Sequence, residues 1–241
     1  MKSSGVKKKY WAVIPAAGAG RRMASKIPKQ YLPLAGKTVL EQTLAVFFQH
    51  PDISGIVLVI TEGDPYWQDI AANRAQQSIP LIIATGGAER CHSVLNGLYQ
   101  LSHYAQNNDW VLVHDAARPC LHSTDIDRLI GTLSGHTVGG LLGLPMADTV
   151  KRCDKQNRVI QTVERNGLWR ALTPQMFPLK LLINALESAI EHDVPITDEA
   201  SAIELLNLAV QMVEGQAANI KITHPGDMQL AELFFTRKGN P

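Results

Sequence analysis

The chain is poor in cysteine and has almost no net charge. Its 241 residues include three cysteines, Cys91, Cys120 and Cys153, an odd number without the Cys-x-x-Cys spacing of a metal-binding pair. This pattern predicts reduced thiols in a cytoplasmic protein, and it argues against both a disulfide framework and a cysteine-based zinc site. The formal net charge of +1 argues against a surface that coats nucleic acid, so we expect no nucleic-acid partner.

Long apolar runs are also lacking. The first residues are basic, but the apolar stretch behind them is interrupted by Pro15 and by glycines, which makes it too short for the apolar region of a signal peptide. Nothing later approaches the roughly eighteen apolar residues of a membrane span. We therefore expect no membrane association, a disordered tail over residues 1–8, and one domain over residues 9–241.

Short apolar runs alternate with helical patterns through the first two thirds of the chain. Continuous apolar strands separated by helices predict an α/β fold, a Rossmann-like and mostly parallel sheet with helices on both faces. The predicted strands are 11–16, 56–61, 81–85, 110–114, 138–144, 210–214 and 220–223. The predicted helices are 39–49, 64–77, 91–105, 124–133, 179–192, 199–208 and one that begins near 227.

Residues 146–174 have a different hydrophobic pattern. Polar and apolar residues alternate over 148–153 and 159–164, and the turn residues 154–157 join the two segments. This pattern predicts a β-hairpin that leaves the main sheet as an arm. Because an isolated hairpin is only marginally stable in water, we expect the arm to pack against a second subunit.

The most informative segment is residues 15–31, which follows the first predicted strand. It combines small residues and glycines with four cations, Arg21, Arg22, Lys26 and Lys29. Without Cβ atoms in the way, backbone N–H groups can surround phosphate oxygens, and the cations can neutralise a triphosphate. The segment indicates a nucleotide-handling enzyme, although a glycine pair alone is also common in ordinary turns.

This segment is neither of the two common phosphate loops. Met23 stands where the dinucleotide-binding fingerprint requires a third glycine, and the Gly-Lys-Ser/Thr sequence of a P-loop is missing.

Further polar loops fall after other predicted strands, where ligands of parallel sheets bind. Residues 85–93 form a glycine turn that enters a helix, which suits contacts to a base or ribose. The pair Asp115 and Arg118 suits either catalysis or a structural ion pair. Thr197 begins a segment that also fits an ordinary helix cap, and Lys221 fits a solvated strand face equally well.

Taken in order, these segments resemble the 2-C-methyl-D-erythritol 4-phosphate cytidylyltransferase family. The resemblance runs from about residue 10 to 235 and rests on eight motifs, at residues 15–23, 28–31, 86–94, 115–119, 165–169, 172–175, 197–201 and 219–223. It implies a homodimeric, magnesium-dependent enzyme that makes 4-diphosphocytidyl-methylerythritol and pyrophosphate from CTP and methylerythritol phosphate. This reaction belongs to the non-mevalonate isoprenoid pathway.

The resemblance also implies roles for individual residues. The triphosphate would be held by Ala16, Ala17, Gly18, Gly20, Arg22 and Lys29, with Arg22 and Lys29 as the catalytic cations. Cytidine would contact Gly87, Ser93 and Ala116. Methylerythritol phosphate would contact Arg165, Thr197 and Lys221, with Asp115 and Arg118 nearby, and Arg165 would act in the partner's site. Asp115 is the candidate if the protein supplies a ligand to Mg²⁺.

The cationic residues in these motifs suit the implied reaction, because its main requirement is neutralisation of phosphate charge. An ionised acceptor phosphate attacking the α-phosphorus of CTP needs no strong general base, so the lack of a Ser/His/Asp triad is consistent with this reaction. Two departures from the family pattern are Ala88, where many relatives have Asp, and His224, where many have Arg.

Three alternatives remain open from the sequence. A ribitol 5-phosphate or related alditol-phosphate cytidylyltransferase would look similar over the first 120 residues. A dinucleotide-binding oxidoreductase would use Glu62 as the acid after its second strand, and a non-catalytic nucleotide sensor would share the fold.

Overall fold

A seven-stranded sheet forms the centre of the computed structural model, which describes residues 8–18, 27–73 and 77–238. The strand order is β11-β7-β10-β6-β1-β4-β5. The pairs β1–β4, β1–β6, β4–β5 and β7–β11 are parallel, whereas β10 is antiparallel to both of its neighbours. The predicted α/β fold with a mostly parallel sheet is confirmed.

The strands in chain order are β1 (Tyr10–Pro15), β2 (Pro33–Leu34), β3 (Lys37–Thr38), β4 (Ile53–Ile60), β5 (Leu81–Thr85), β6 (Trp110–Val113), β7 (Gly140–Pro145), β8 (Val150–Cys153), β9 (Val159–Val163), β10 (Trp169–Pro178) and β11 (Gln211–Glu214). The helices are α1 (Val39–Gln49), α2 (Pro65–Asn73), α3 (Arg90–Ser102), α4 (Ser123–Leu133), α5 (Leu179–Glu191), α6 (Glu199–Glu204) and α7 (Pro225–Lys238). A short 3-10 helix covers Lys29–Tyr31.

Two hydrophobic cores lie on opposite faces of the sheet, because side chains alternate along each strand. On β1, Ala12 and Ile14 pack in the core that includes residues of α1, α2 and α4. Trp11 and Val13 pack in the core that includes residues of α3, α5 and α6. This two-sided burial explains why the central strands are continuous apolar runs.

The carboxyl ends of the parallel strands β1, β4, β5 and β6 meet at one edge of the sheet. The loops that leave these ends begin at residues 16, 61, 86 and 114. Sequence-distant loops are thereby brought together, as expected for a doubly wound sheet.

The predicted arm contains a separate two-stranded antiparallel sheet made of β8 and β9. Val159 and Ile160 on this hairpin are each 61% exposed, which is unusual for large apolar side chains. The chain rejoins the central sheet at Trp169, before the end of the predicted arm at residue 174. Strand β10, which pairs with β6 and β7, was not predicted from the sequence.

The predicted strand at 220–223 is wrong, because this segment is not part of any sheet. Instead, the Ile222 N–H donates to the carbonyl oxygen of Ala117 (2.8 Å), and Lys29 Nζ donates to the carbonyl oxygen of Ile222 (2.9 Å). These bonds hold the segment against the loop after β6 and against the 3-10 helix. Helix α2 is capped by Asp64, whose Oδ1 accepts from the N–H groups of Tyr66 (3.0 Å) and Trp67 (3.2 Å).

Within the described ranges, no helix has the length and apolar character that a membrane crossing requires. The three cysteines all lie in those ranges, and they are thiols rather than disulfides.

Candidate active site

A cavity of about 240 Å³ opens at the carboxyl edge of the sheet. The loops after β1, β5 and β6 contribute to its walls, together with the 3-10 helix and the segment around Lys221. Its lining residues are Pro15, Ala16, Ala17, Gly18, Lys29, Gln30, Gly87, Ala88, Glu89, Arg90, Ser93, Asp115, Ala116, Ala117 and Lys221.

The start of the glycine loop is fixed by side chains from outside it. Gln30 Nε2 donates to the carbonyl oxygens of Ala16 (2.7 Å) and Gly18 (3.1 Å), and Thr61 Oγ1 donates to that of Ala17 (3.2 Å). These bonds fix the loop through its carbonyl oxygens, while the Ala16 N–H donates to the carbonyl oxygen of Val59 (2.7 Å).

The glycine turn after β5 makes two close approaches. A Cβ atom on Gly86 would collide with the side chain of Ala17, and one on Gly87 would collide with that of His92. The Gly87 N–H donates to Ser93 Oγ (3.0 Å), and Ser93 Oγ donates to the carbonyl oxygen of Glu89 (3.1 Å). Only glycine fits at both positions without displacing a neighbour, so the cavity wall here is formed by backbone.

Asp115 also lines the cavity and lies at the centre of a charged cluster. Its Oδ1 contacts Arg90 (3.3 Å), and its Oδ2 contacts both Lys221 (2.9 Å) and Arg118 (3.3 Å). Burial alone would raise the pKa of Asp115, but Arg90, Lys221 and Arg118 outweigh it and hold the pKa well below its usual range. The carboxylate is therefore ionised at neutral pH and holds three cations beside the cavity.

Arg90 links this cluster to the helix α6. Its guanidinium forms a two-point ion pair with Glu199, at 2.6 and 3.2 Å. Burial would lower the pKa of Arg90, but the carboxylates of Glu199 and Asp115 outweigh burial and raise this pKa above its usual value. Glu199 follows Asp198, which caps α6 by accepting from the Ser201 N–H (2.9 Å). The ordinary helix cap considered for this segment is thus present, and it positions a carboxylate that anchors the site.

His114 is completely buried behind Asp115. Its Nε2 lies 3.0 Å from the carbonyl oxygen of Arg118, and its Nδ1 lies 2.9 Å from Thr173 Oγ1. A carbonyl can only accept, so Nε2 carries the hydrogen and Nδ1 accepts from the hydroxyl. The hydroxyl oxygen in turn accepts from the Asp115 N–H (3.2 Å). Burial lowers the pKa of His114 to about 4, so the ring is neutral and locks the 114–118 loop.

The structure brings most of the predicted site residues together. The cavity is lined by Ala16, Ala17, Gly18, Lys29, Gly87, Ser93, Asp115, Ala116 and Lys221. Arg118 lies behind the cavity wall, where it pairs with Asp115 and donates to the carbonyl oxygen of Asn219 (2.8 Å). Gly20 and Arg22 lie outside the described residues.

Besides Arg118, two predicted residues in the described ranges do not line this cavity. Thr197 lies beside a smaller cavity that also contacts Arg90 and Glu199. Arg165 is exposed at the end of the hairpin, where it donates to the carbonyl oxygen of Ala147.

Several residues that shape the site had no predicted role. Arg90 and Gln30 both lie within the motifs that carry the resemblance. Each is a polar residue close to a glycine loop, and this was the sequence signal that could have identified them as site residues. Thr173 and Asn219 also lie in such motifs, and the Asn219 side chain donates to the carbonyl oxygen of Thr173 (2.7 Å). Their contacts span 46 residues or more, which no local pattern reveals.

Asp115 does not fit the predicted role of a magnesium ligand. Both of its carboxylate oxygens already contact cations, and a divalent cation would have to enter beside Arg90, Arg118 and Lys221. Coulomb repulsion from these groups disfavours a metal ion at this carboxylate.

Comparison with known proteins identifies the family. A model of the family described as 2-C-methyl-D-erythritol 4-phosphate cytidylyltransferase matches residues 10–237. The chain is 53% identical to the protein of that name from Pseudomonas aeruginosa strain PAO1, covering 94% of this chain and 96% of that one. It is 48% identical to the one from Vibrio vulnificus strain YJ016, covering 94% of each.

Solved structures agree with this result. A crystal structure of 4-diphosphocytidyl-2C-methyl-D-erythritol synthase superposes with a TM-score of 0.83 at 36% identity, covering 95% of this chain and all of that one (100%). The Francisella tularensis 2-C-methyl-D-erythritol 4-phosphate cytidylyltransferase gives a TM-score of 0.79 at 34% identity, covering 94% and 100%. The chain belongs to the 2-C-methyl-D-erythritol 4-phosphate cytidylyltransferase family.

Proposed function

We propose that this cytidylyltransferase joins CTP and 2-C-methyl-D-erythritol 4-phosphate within the cavity at the carboxyl edge of the sheet, in the non-mevalonate isoprenoid pathway. The observation that carries the proposal is the charged cluster around Asp115, which lines the same cavity as the glycine turn. The turn suits a base and ribose, and the cluster suits phosphate groups.

In this arrangement CTP lies between the glycine loop and the start of α3. Gly87, Ser93 and Ala116 contact cytidine, while Ala16, Ala17, Gly18 and Lys29 line the region of the triphosphate. Lys221 and Arg118 face the acceptor phosphate from the other side of Asp115. Every one of these residues except Arg118 lines the same cavity.

The reaction is a displacement at the α-phosphorus of CTP. A phosphate oxygen of methylerythritol phosphate forms the new P–O bond, and the bond to the β-phosphate oxygen breaks to release pyrophosphate. The two anionic substrates must approach each other, so catalysis depends on cations that are already in position. Asp115 positions these cations, because it holds Arg90, Arg118 and Lys221 in place before substrate binds.

Magnesium dependence is part of the proposal, with the ion entering on the triphosphate rather than on Asp115. Mg²⁺ usually keeps several waters and binds through substrate phosphates and one or two carboxylates. Its contribution would be to neutralise phosphate charge, and the residues described above bind and orient the reactants.

We further propose a homodimer in which Arg165 acts in the partner's site. Three observations support it. The β8–β9 hairpin forms its own small sheet, its Val159 and Ile160 side chains are exposed, and Arg165 does not line the cavity of its own chain. A hairpin of this size needs a packing partner. A cytoplasmic location is also proposed, and the cysteine thiols are consistent with it.

Pyrophosphate release from CTP and methylerythritol phosphate tests the function. Release should require both substrates and should fall in Lys29→Ala. Replacement of the acceptor by ribitol 5-phosphate separates the two cytidylyltransferase assignments, since a site for methylerythritol phosphate should turn the other alditol over far more slowly. Equal turnover of the two acceptors would refute the assigned substrate.

Mixed mutant dimers test the shared site. Lys29→Ala and Arg165→Ala should each be nearly inactive, but a mixed dimer would have one site with both lesions and one with neither. Random reassociation of equal amounts makes half of the dimers mixed, so about a quarter of wild-type activity should return. No recovery after verified mixing would show that Arg165 acts within its own chain.

A further inference from the structure

A second group of potential ligands lies at the start of α3, behind the glycine turn. Cys91 Sγ is 3.6 Å from His92 Nδ1 and 3.9 Å from Glu89 Oε2. The three ligand atoms all lie within 4.8 Å of one another, and among the described residues no other group of three such side chains is this close. Cys91 and His92 occupy positions that the Gly-Gly-x-x-Arg-x-x-Ser motif leaves open.

The two distances from the Cys91 sulfur are close to the edges of a zinc tetrahedron. Zinc binds sulfur at about 2.3 Å and nitrogen or oxygen at about 2.0–2.2 Å, which places a sulfur ligand about 3.6 Å from a nitrogen or oxygen ligand. The sulfur–nitrogen distance has this value, and the sulfur–oxygen distance is 3.9 Å. The imidazole nitrogen and the carboxylate oxygen lie within 4.8 Å of each other and approach further when both bind the ion.

The surroundings provide room for a metal ion and its water ligands. Glu89, Cys91 and His92 line a cavity of about 250 Å³, which Asp193 also lines. The carboxylate of Asp193 lies outside the close group of three ligand atoms, so the fourth ligand of a tetrahedral ion would be water. The cation Arg90, although adjacent in sequence, is committed to Asp115 and Glu199.

The ligand types select the kind of metal. Thiolate and imidazole favour zinc-class cations, whereas Mg²⁺ prefers oxygen ligands and near-octahedral geometry. This group is therefore distinct from the site of the magnesium that accompanies the triphosphate. The cysteine spacing alone argued against a zinc site because two of the three ligands are not cysteines.

The group is joined to the nucleotide turn through backbone. Glu89 lines both cavities, and its carbonyl oxygen accepts from Ser93 Oγ, which accepts from the Gly87 N–H. Gly87 lies directly against the His92 side chain. A cation that draws the side chains of Glu89 and His92 together therefore shifts the glycine turn, which forms the wall of the proposed cytidine site.

We propose that Glu89, Cys91 and His92 form a binding site for a zinc-class divalent cation, and that its occupation weakens CTP binding. Only the second part rests on the proposed function, because it requires CTP to occupy the adjoining cavity. By thermodynamic reciprocity, bound CTP then lowers the affinity of the site for the cation by the same factor. For a typical coupling this factor is about fivefold or more.

The first experiment measures metal binding without nucleotide. Zinc titration of the full chain should show one saturable site per chain, and cobalt substitution should show a thiolate-to-metal charge-transfer band. Cys91→Ser should abolish the band, and His92→Ala should weaken zinc binding by about tenfold or more. Cys153→Ser is the matched control, since it removes an exposed cysteine from β8 and should leave both signals intact. Circular dichroism of each variant establishes that it is folded.

The outcomes separate the two parts of the proposal. A band that survives Cys91→Ser, or zinc binding that is unchanged in folded His92→Ala, overturns the site. The second experiment measures the affinity for CTP with and without zinc. Magnesium is present in excess, so that the triphosphate of CTP binds magnesium and does not remove zinc from the protein. Unchanged CTP affinity at a zinc-loaded site overturns the coupling. Absence of CTP binding altogether overturns the proposed function and leaves the metal measurement standing.

Discussion

Acid should destabilise the protein through His114 before it affects Asp115. His114 is completely buried and its pKa falls from 6.5 to about 4 on folding, because burial disfavours the charged ring. Between these values the unfolded chain binds a proton that the folded chain excludes. The contribution of His114 to stability is therefore complete above pH 6.5 and is lost as the pH falls to about 4.

The size of this effect follows from the shift. Each pH unit in the window costs about 1.4 kcal/mol, so lowering the pH from about 7.5 to about 4.5 should remove about 2.5 kcal/mol of unfolding free energy through this residue. The depressed pKa of Asp115 acts at lower pH, because its contribution begins to fall only near the ordinary value of 3.8. The two residues thus affect different parts of the pH curve.

Urea unfolding at several pH values measures this effect. His114→Gln keeps a donor and an acceptor but does not titrate, so its unfolding free energy should depend less steeply on pH than that of the wild type, by the amount given above. His50→Gln is the matched control, since it removes another buried histidine, one that contacts Asp127 (3.2 Å), and leaves His114 in place. Equal acid sensitivity in the wild type and His114→Gln would refute a neutral His114.

Four further outcomes follow from the site. Lys29→Ala and Arg22→Ala should each lower kcat by about a hundredfold, as loss of a preorganised charge does, and a raised KM with normal kcat would show ground-state binding only. CTP should exceed ATP and GTP by about a hundredfold in kcat/KM, with UTP the nearest competitor, because the backbone-lined turn selects by hydrogen bonds; equal use of ATP would contradict this. Gly87→Ala should raise the KM for CTP by about tenfold, since the new Cβ collides with the Cβ of His92, and adding His92→Gly, which removes that atom, should partly restore it. Asp115→Asn should lower the unfolding free energy by about 3 kcal/mol in urea titrations, because Arg90 and Arg118 lose a buried partner; an unchanged midpoint would argue against the cluster as a stabilising unit.

The sequence predicted the elements whose signals are local. Strand β5 and helix α1 match their predicted bounds, because apolar periodicity and turn residues define both ends. The capping box of α1, with Thr38 and Glu41, is a signal of the same kind.

Elements that depend on distant partners were harder to predict. Strand β10 begins immediately after the hairpin and pairs antiparallel with β6 and β7, which lie far from it in sequence. The segment at 220–223 has a strand-like composition, but it bonds to the loop after β6 instead of a sheet edge. Propensity is a weak guide where tertiary hydrogen bonds decide the conformation.

The same division applies to the site. The resemblance named most residues of the cavity, including Lys29, Asp115 and Lys221. It gave no role to Arg90 or His114, because each acts through partners that come together only in the folded chain.

The origin of the new P–O bond tests the central claim most directly. Methylerythritol phosphate carrying heavy oxygen in its phosphate group is incubated with CTP, magnesium and enzyme, and the products are followed by phosphorus NMR and mass spectrometry. If the acceptor phosphate attacks the α-phosphorus, labelled oxygen bridges the two phosphorus atoms of the diphosphocytidyl product, and pyrophosphate is unlabelled. Label in pyrophosphate, or hydrolysis of CTP without product, would contradict cytidylyl transfer at this site.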